Sequence, residues 1–207
     1  MSLTIATWNI NSVRLRSGLV QKLLTEERPD ILCLQETKCP NDSFPLADFR
    51  KLGYQHIAMN GQKGYHGVAI LSRLPFTTSQ SHDFADKSDC RHISITLGKE
   101  ARKAAGFTIH NFYVPAGGDI PDPEQNEKFD HKLRYLEDMI RWGSDHQPAA
   151  GPAIPGLPGA GRPPAPGGGP PGAWAKICWY LLRCAGVSMA LICVRMSALT
   201  LSRASAR

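Results

Sequence analysis

The chain has 207 residues, enough for one domain with a sizeable core, and a formal net charge of +6. That excess belongs to residues 147–207, whose six cations (Arg162, Lys176, Arg183, Arg195, Arg203 and Arg207) meet no acidic residue, which leaves residues 1–146 balanced at 18 cations and 18 anions. Bulk charge is therefore no argument for a nucleic-acid partner, and any such case must rest on placed residues. The six cysteines form no CxxC pair, which speaks against a structural zinc site. The N-terminus lacks the basic-then-apolar pattern of a signal peptide, so the expectation is a reducing cytoplasm with free thiols.

In chain order, Leu3-Thr4-Ile5-Ala6-Thr7-Trp8 reads as a short strand. Residues 15–27 carry Leu15, Leu19, Leu23 and Leu24 at helical spacing, and Pro29-Asp30 stops that helix. Ile31-Leu32-Cys33-Leu34 is a continuous apolar run, the mark of a strand covered on both faces. Gly67 to Ser72, His92 to Leu97 and Phe107 to Tyr113 are further strands. From Pro123 to Trp142 the pattern is helical, with Phe129, Leu133, Leu136 and Ile140 on one face. Strands outnumber helices in mixed order, so the class is α/β or α+β around a sheet core.

The texture changes at residue 147. Nine Pro and eight Gly fill residues 147–172, a linker that cannot build a regular element. Residues 173–207 are an apolar and basic tail whose longest uncharged run, 184–194, is too short to cross a membrane. No Asp, Glu, His or Asn occurs from residue 147 onward, a composition that an out-of-frame reading of GC-rich coding sequence would give.

Three strand ends carry chemistry. Phosphodiester hydrolysis near neutral pH calls for a divalent cation on the phosphate, an activated water and a stabilised leaving oxygen. Hard cations such as Mg²⁺ take oxygen ligands. Glu36 lies just past a buried strand, where a carboxylate can point into a cleft at a sheet edge. Asn9, past the first strand, can hold a metal-bound water or a phosphate oxygen, and Tyr113, ending a third, can donate to a phosphate. Taken singly these are a solvated loop Glu, a turn Asn and a wet-edged Tyr; order, spacing and flanking residues give them meaning together.

Trp8-Asn9-Ile10-Asn11-Ser12-Val13-Arg14, Pro29 to Lys38 with its Leu-Gln-Glu-Thr-Lys string, Gly61 to Ile70, and Asn111-Phe112-Tyr113-Val114-Pro115 closely resemble the exodeoxyribonuclease III family. That family lies in the endonuclease/exonuclease/phosphatase superfamily, beside the apurinic endonucleases. The likeness covers residues 1–146, about half of a full-length member, as a partial domain. It implies the N-terminal half of a four-layer α/β sandwich, Mg²⁺ (or Mn²⁺) dependence, and a monomer that hydrolyses duplex DNA at abasic sites and from 3′ ends. By the same resemblance Asn9 and Glu36 are metal-site residues, Tyr113 is catalytic, and Arg91, Lys128 and Lys132 face DNA.

The departures shape the functional expectation. The family's next motif, Gly-Asp-x-Asn, supplies the Asp that activates water, but this chain reads Pro152-Ala153-Ile154-Pro155-Gly156 there. The closing Ser-Asp-His is also missing. Ser144-Asp145-His146 imitates it, but arrives directly after the 123–142 helix and reads as a helix-end turn. The expectation is therefore a DNA-repair phosphodiesterase by descent that is inactive as it stands. The rivals are a DNA-binding or inert remnant and a superfamily phosphatase acting on phospholipid or inositol phosphates. With the second half of the sandwich absent, the inner sheet face is expected to lack a cover.

Overall fold

The computed structural model describes residues 3–145 and, by their backbone, two strands at Cys178–Leu182 and Ala190–Arg195. The linker stretch 147–172 lies outside the described residues. Nine strands form two sheets. The first runs β1 (Ile5–Asn9), β2 (Ile31–Gln35), β4 (Val68–Ser72), β3 (His56–Asn60). The second runs β5 (Phe76–Gln80), β6 (His92–Leu97), β7 (Thr108–Tyr113), β9 (Ala190–Arg195), β8 (Cys178–Leu182). Helices α1 (Ser17–Glu26) and α2 (Leu46–Lys51) follow β1 and β2, and α3 (Glu127–Asp145) follows β7.

Alternation along the strands sorts side chains into layers. On β2, Leu32 and Leu34 face outward into a cluster with Val20, Leu24, Phe49 and Leu71 under α1 and α2. Ile31 and Cys33 face the other way and meet Ile93, Ile95, Ile109 and Tyr113 of the second sheet. On β7, Phe112 turns away from that interface to pack with Phe84, Tyr135 and Met139, the latter two on α3. The order is thus helix, sheet, sheet, helix, the four-layer α/β sandwich expected from the sequence.

The expectation of an uncovered inner face is corrected. Strands β5 to β7 already belong to the second sheet, so β2 and β4 are buried along their whole length by this chain's own residues. Among residues 3–145, two strands and a short helix were not read from the sequence. Strand β3 is an edge strand of mixed exposure and β5 a largely exposed one, so neither shows clean alternation. Helix α2 has six residues, too few for a periodic signal. In the apolar and basic tail, for which no strand was read from the sequence, β9 pairs antiparallel with β7 from Thr108↔Arg195 to Tyr113↔Ala190, and β8 pairs with β9. Both tail strands are apolar runs of strand length, and β7 without them would present an open row of backbone donors and acceptors.

Topology fixes the site. Strands β1 and β2 are parallel, with Asn9 opposite Gln35; β4 is antiparallel to β2, so Val68 also lies opposite Gln35. The C-terminal ends of β1, β2 and β3 and the start of β4 therefore share one edge. The start of β6 and the end of β7 pair at His92↔Phe112. Beneath this edge two buried amides tie the sheets together. Asn111 Nδ2 donates to the Leu34 and Ala69 carbonyls (both 2.9 Å), and Gln35 Nε2 donates to Asn111 Oδ1 (2.6 Å).

Candidate active site

Past β2 the backbone leaves extended geometry without leaving the sheet's hydrogen-bond pattern. Glu36 and Lys38 both adopt left-handed conformations (φ 52° and 48°). The turn is clamped on both sides: Ser12 and Val13 donate to the Glu36 and Thr37 carbonyls, while Thr37 and Lys38 donate to those of Gly67 and His66. Gly67 is required by close approach as well as by its φ of +88°, since a Cβ there would collide with Thr37 Oγ1. Strain of this kind persists only where the surroundings hold it, and it tends to mark functional sites.

The clamped turn aims Glu36 at the end of the neighbouring strands. Glu36 is only 8% exposed. Its Oε1 accepts from Asn9 Nδ2 and from the Tyr113 hydroxyl, both at 2.8 Å, and its Oε2 faces Lys38 Nζ at 3.1 Å. Burial is the largest influence on this carboxyl and pushes it upward, but the hydrogen bonds from Asn9, Tyr113 and Lys38 outweigh it and hold the group below its ordinary value. Glu36 is thus an ionised, oriented carboxylate. Asn9, expected as a metal-site residue, holds Glu36 with its amide N–H₂ and accepts from the Asn11 backbone with Oδ1 (3.3 Å).

Tyr113 is held from behind. Its backbone N–H donates to the Arg91 carbonyl (2.8 Å), Arg91 Nη1 donates to the Tyr113 carbonyl (3.1 Å), and the guanidinium lies 4.7 Å from the Tyr113 ring centroid. Arg91, expected to face DNA, is bonded within the protein on all three nitrogens. It is 8% exposed; its Nε bonds to Asp89 and its Nη2 to His66 Nε2 (2.9 Å). Asp89 also faces His131 Nε2 of α3 at 3.3 Å. Because His66 Nε2 accepts from Arg91, Nδ1 carries the proton and donates to the Asp89 carbonyl (3.1 Å). Burial, reinforced by Arg91, lowers the His66 pKa and favours that neutral form.

The two α3 lysines stand apart from this set. Lys132 Nζ donates to the Ala116 carbonyl (3.3 Å), bracing the loop after Tyr113, and Lys128 is exposed on the first turn of α3. Neither makes a hydrogen bond or ion pair to Asn9, Glu36 or Tyr113. The Ser144-Asp145 pair lies within α3, with Ser144 Oγ donating to the Ile140 carbonyl (3.0 Å). Among the described residues no group of three or more His, Cys, Asp and Glu converges as a metal cage.

Asn11, Lys38, Asp89 and His66 were not selected from the sequence as site residues. Asn11, Lys38 and His66 lay inside the quoted strings; the signal of the first two was the i+2 spacing after Asn9 and after Glu36. Asp89 and His66 act through Arg91 and carried no local signal.

Three strand ends from two sheets thus meet on one carboxylate, in an arrangement able to grip a phosphate and a hard cation. Residues 6–154 match the family model described as endonuclease/exonuclease/phosphatase family. The chain belongs to this family. Family relatives include exodeoxyribonuclease III of Haemophilus influenzae, 28% identical over 136 residues, 66% of this chain and 49% of that protein. A solved AP endonuclease from Archaeoglobus fulgidus is 37% identical, with a TM-score of 0.61, over 71% of this chain and 53% of that one. A 3′ phosphatase from Neisseria, solved with a product DNA hairpin, is 33% identical, with a TM-score of 0.60, over 70% and 52%. The chain therefore spans about half the length of these relatives. The family match stops at Ile154, eight residues into the Pro/Gly-rich stretch.

Proposed function

We propose that this chain carries the phosphate- and metal-facing half of a Mg²⁺-dependent DNA phosphodiesterase site of the exodeoxyribonuclease III and AP endonuclease kind. We further propose that these 207 residues by themselves turn over slowly. The observation that carries the reading is the convergence of Asn9 and Tyr113, from different sheets, on Glu36 Oε1 at 2.8 Å each. The donor chemistry fits a hard divalent cation: Glu36 Oε2 and Asn11 Oδ1 face one point, at which Lys38 Nζ sits 3.1 and 2.6 Å away. Such an ion usually takes one or two carboxylates and keeps several waters. When bound it would neutralise phosphate charge.

The chain's own residues supply the rest. Asn9 keeps Glu36 oriented. Arg91 fixes the Tyr113 ring, whose hydroxyl can turn from Glu36 to a phosphate oxygen. Among the described residues no further base is placed beside Glu36, which is itself committed to Asn9, Tyr113 and Lys38, and the sequence holds no Asp, Glu or His after His146. Duplex DNA with abasic sites or 3′ ends is the proposed substrate, supported by the names of the relatives. The test is cleavage of a duplex bearing one abasic site in the presence of Mg²⁺. The reading expects a rate on the order of a thousandfold or more below that of a full-length relative, because groups that act as a unit fail together. A rate near the relative's would contradict it.

A further inference from the structure

The Glu36 carboxylate already has a cation. Lys38 Nζ sits 3.1 Å from Glu36 Oε2 and donates to Asn11 Oδ1 at 2.6 Å, the same two oxygens that remain to be offered to a metal. The other Glu36 oxygen is taken by Asn9 and Tyr113, and Asn9 Oδ1 by the Asn11 backbone. The Lys38 backbone is fixed by its N–H to the His66 carbonyl (2.8 Å) and by its left-handed conformation, so the whole residue does not drift. Its side chain is different: it is 32% exposed, against 11% for Glu36, and a four-carbon stem leaves the ammonium free to swing into water.

We infer that Lys38 is a resident counter-ion of the cation position, which keeps the metal-free site neutral and Glu36 in place, and which a divalent ion must displace in order to bind. This inference rests on the metal reading proposed above. The physical reason is Coulombic. An ammonium and a divalent ion share the same two oxygens, and three positive charges within a few Å of one carboxylate repel. Metal entry is therefore an exchange, in which the ammonium leaves as the divalent ion takes up its oxygen contacts. The ammonium is partly exposed, and the turn that carries it is held by backbone hydrogen bonds. Removing the lysine therefore perturbs the fold little and the metal affinity much.

The test is a Mn²⁺ titration of the full 207-residue chain, following free Mn²⁺ by electron paramagnetic resonance, for the wild type and for Lys38→Met, Lys38→Arg and Glu36→Gln. Lys38→Met is expected to tighten Mn²⁺ binding by about tenfold or more. Lys38→Arg, which keeps the charge, should bind no tighter than wild type, and Glu36→Gln should lose binding. An urea midpoint for Lys38→Met close to wild type shows that the fold is intact. Equal or weaker Mn²⁺ binding by a folded Lys38→Met protein, with binding by the wild type retained, overturns the counter-ion inference alone. Absence of binding in both the wild type and Lys38→Met overturns the metal reading as well. A second readout is amine-specific labelling of Lys38, quantified by peptide mass. Labelling should rise when Mg²⁺ is added, and labelling unchanged at saturating Mg²⁺ contradicts displacement.

Discussion

Glu36 and Asp89 are both carboxylates at 8% exposure on the same edge of the sandwich, each facing a cation, yet their surroundings differ in kind. Asp89 is closed in by Arg91, His66 and His131, and Arg91 is itself buried with Nε, Nη1 and Nη2 all bonded. Glu36 meets two neutral donors and one half-exposed lysine on a flexible stem. The lesson concerns removability. A carboxylate whose cation cannot leave is part of the scaffold, whereas one whose cation can leave is available to a ligand. Asp89 anchors the wall behind Tyr113; Glu36 is the group that the wall serves.

The comparison breaks most sharply at Asp89. Asp89→Asn leaves the Arg91 guanidinium buried without its counter-charge and weakens the link to α3. We expect a loss of roughly 3–5 kcal/mol, the usual result of breaking a buried pair on one side, read as a drop in the urea midpoint. Stability close to wild type would place Asp89 with Glu36 among the removable pairs.

Next in size is the amide bridge under the site. Asn111→Leu takes the side-chain donor from the buried Leu34 and Ala69 carbonyls and leaves Gln35 Nε2 with Thr7 Oγ1 alone, at about 1–3 kcal/mol by the same measurement. Since Asn111 and Tyr113 lie on the same face of β7, Mn²⁺ affinity should fall with it.

Smaller, and spread over a pH range, is the effect of the buried histidines. His92 is driven down to about 2, first by burial and then by the charges of His110 and His82, and His66 and His131 are lowered chiefly by burial. The unfolded chain therefore binds protons that the folded one refuses. Stability should be full above the unfolded histidine pKa of about 6.5 and decline as pH falls from there toward 2. The lowered Glu36 carboxyl adds in the same direction at more acid pH. Thermal melts between pH 7.5 and 4.5 check this, and His92→Phe should reduce the slope. Stability that rises on acidification would have the sign wrong.

Much of this was legible in the sequence, for reasons that can be named. The run Ile31 to Leu34 spelled a strand covered on both faces, and it is one. Asn9, Glu36 and Tyr113 each end a strand, so local pattern placed all three at an edge before any fold was known. What local pattern could not give was partnership. That Asn9 would position the carboxylate, with Asn11 offering the oxygen, depends on the left-handed turn at Asn11. That Arg91 would be buried depends on His66 and His131, 25 residues upstream and 40 downstream of it in sequence. The second sheet's contribution was missed because β5 is a polar edge strand, which hid where one sheet ends and the next begins.

The smallest expected change in stability is also the most telling for function. Glu36→Gln keeps a side-chain oxygen for Asn9 and Tyr113, removes the charge and puts an amide N–H₂ where Oε2 faced Lys38. Its stability should lie within about 1 kcal/mol of wild type, because the partly exposed Lys38 ammonium can turn to water once the carboxylate is gone. The direct measurement is Mn²⁺ binding by the wild type and Glu36→Gln chains side by side, with folding verified by the same melts. The account predicts that the wild type binds Mn²⁺ and that folded Glu36→Gln does not. Equal binding by the two would contradict the claim that Glu36 is the cation-facing carboxylate of a phosphodiesterase half-site.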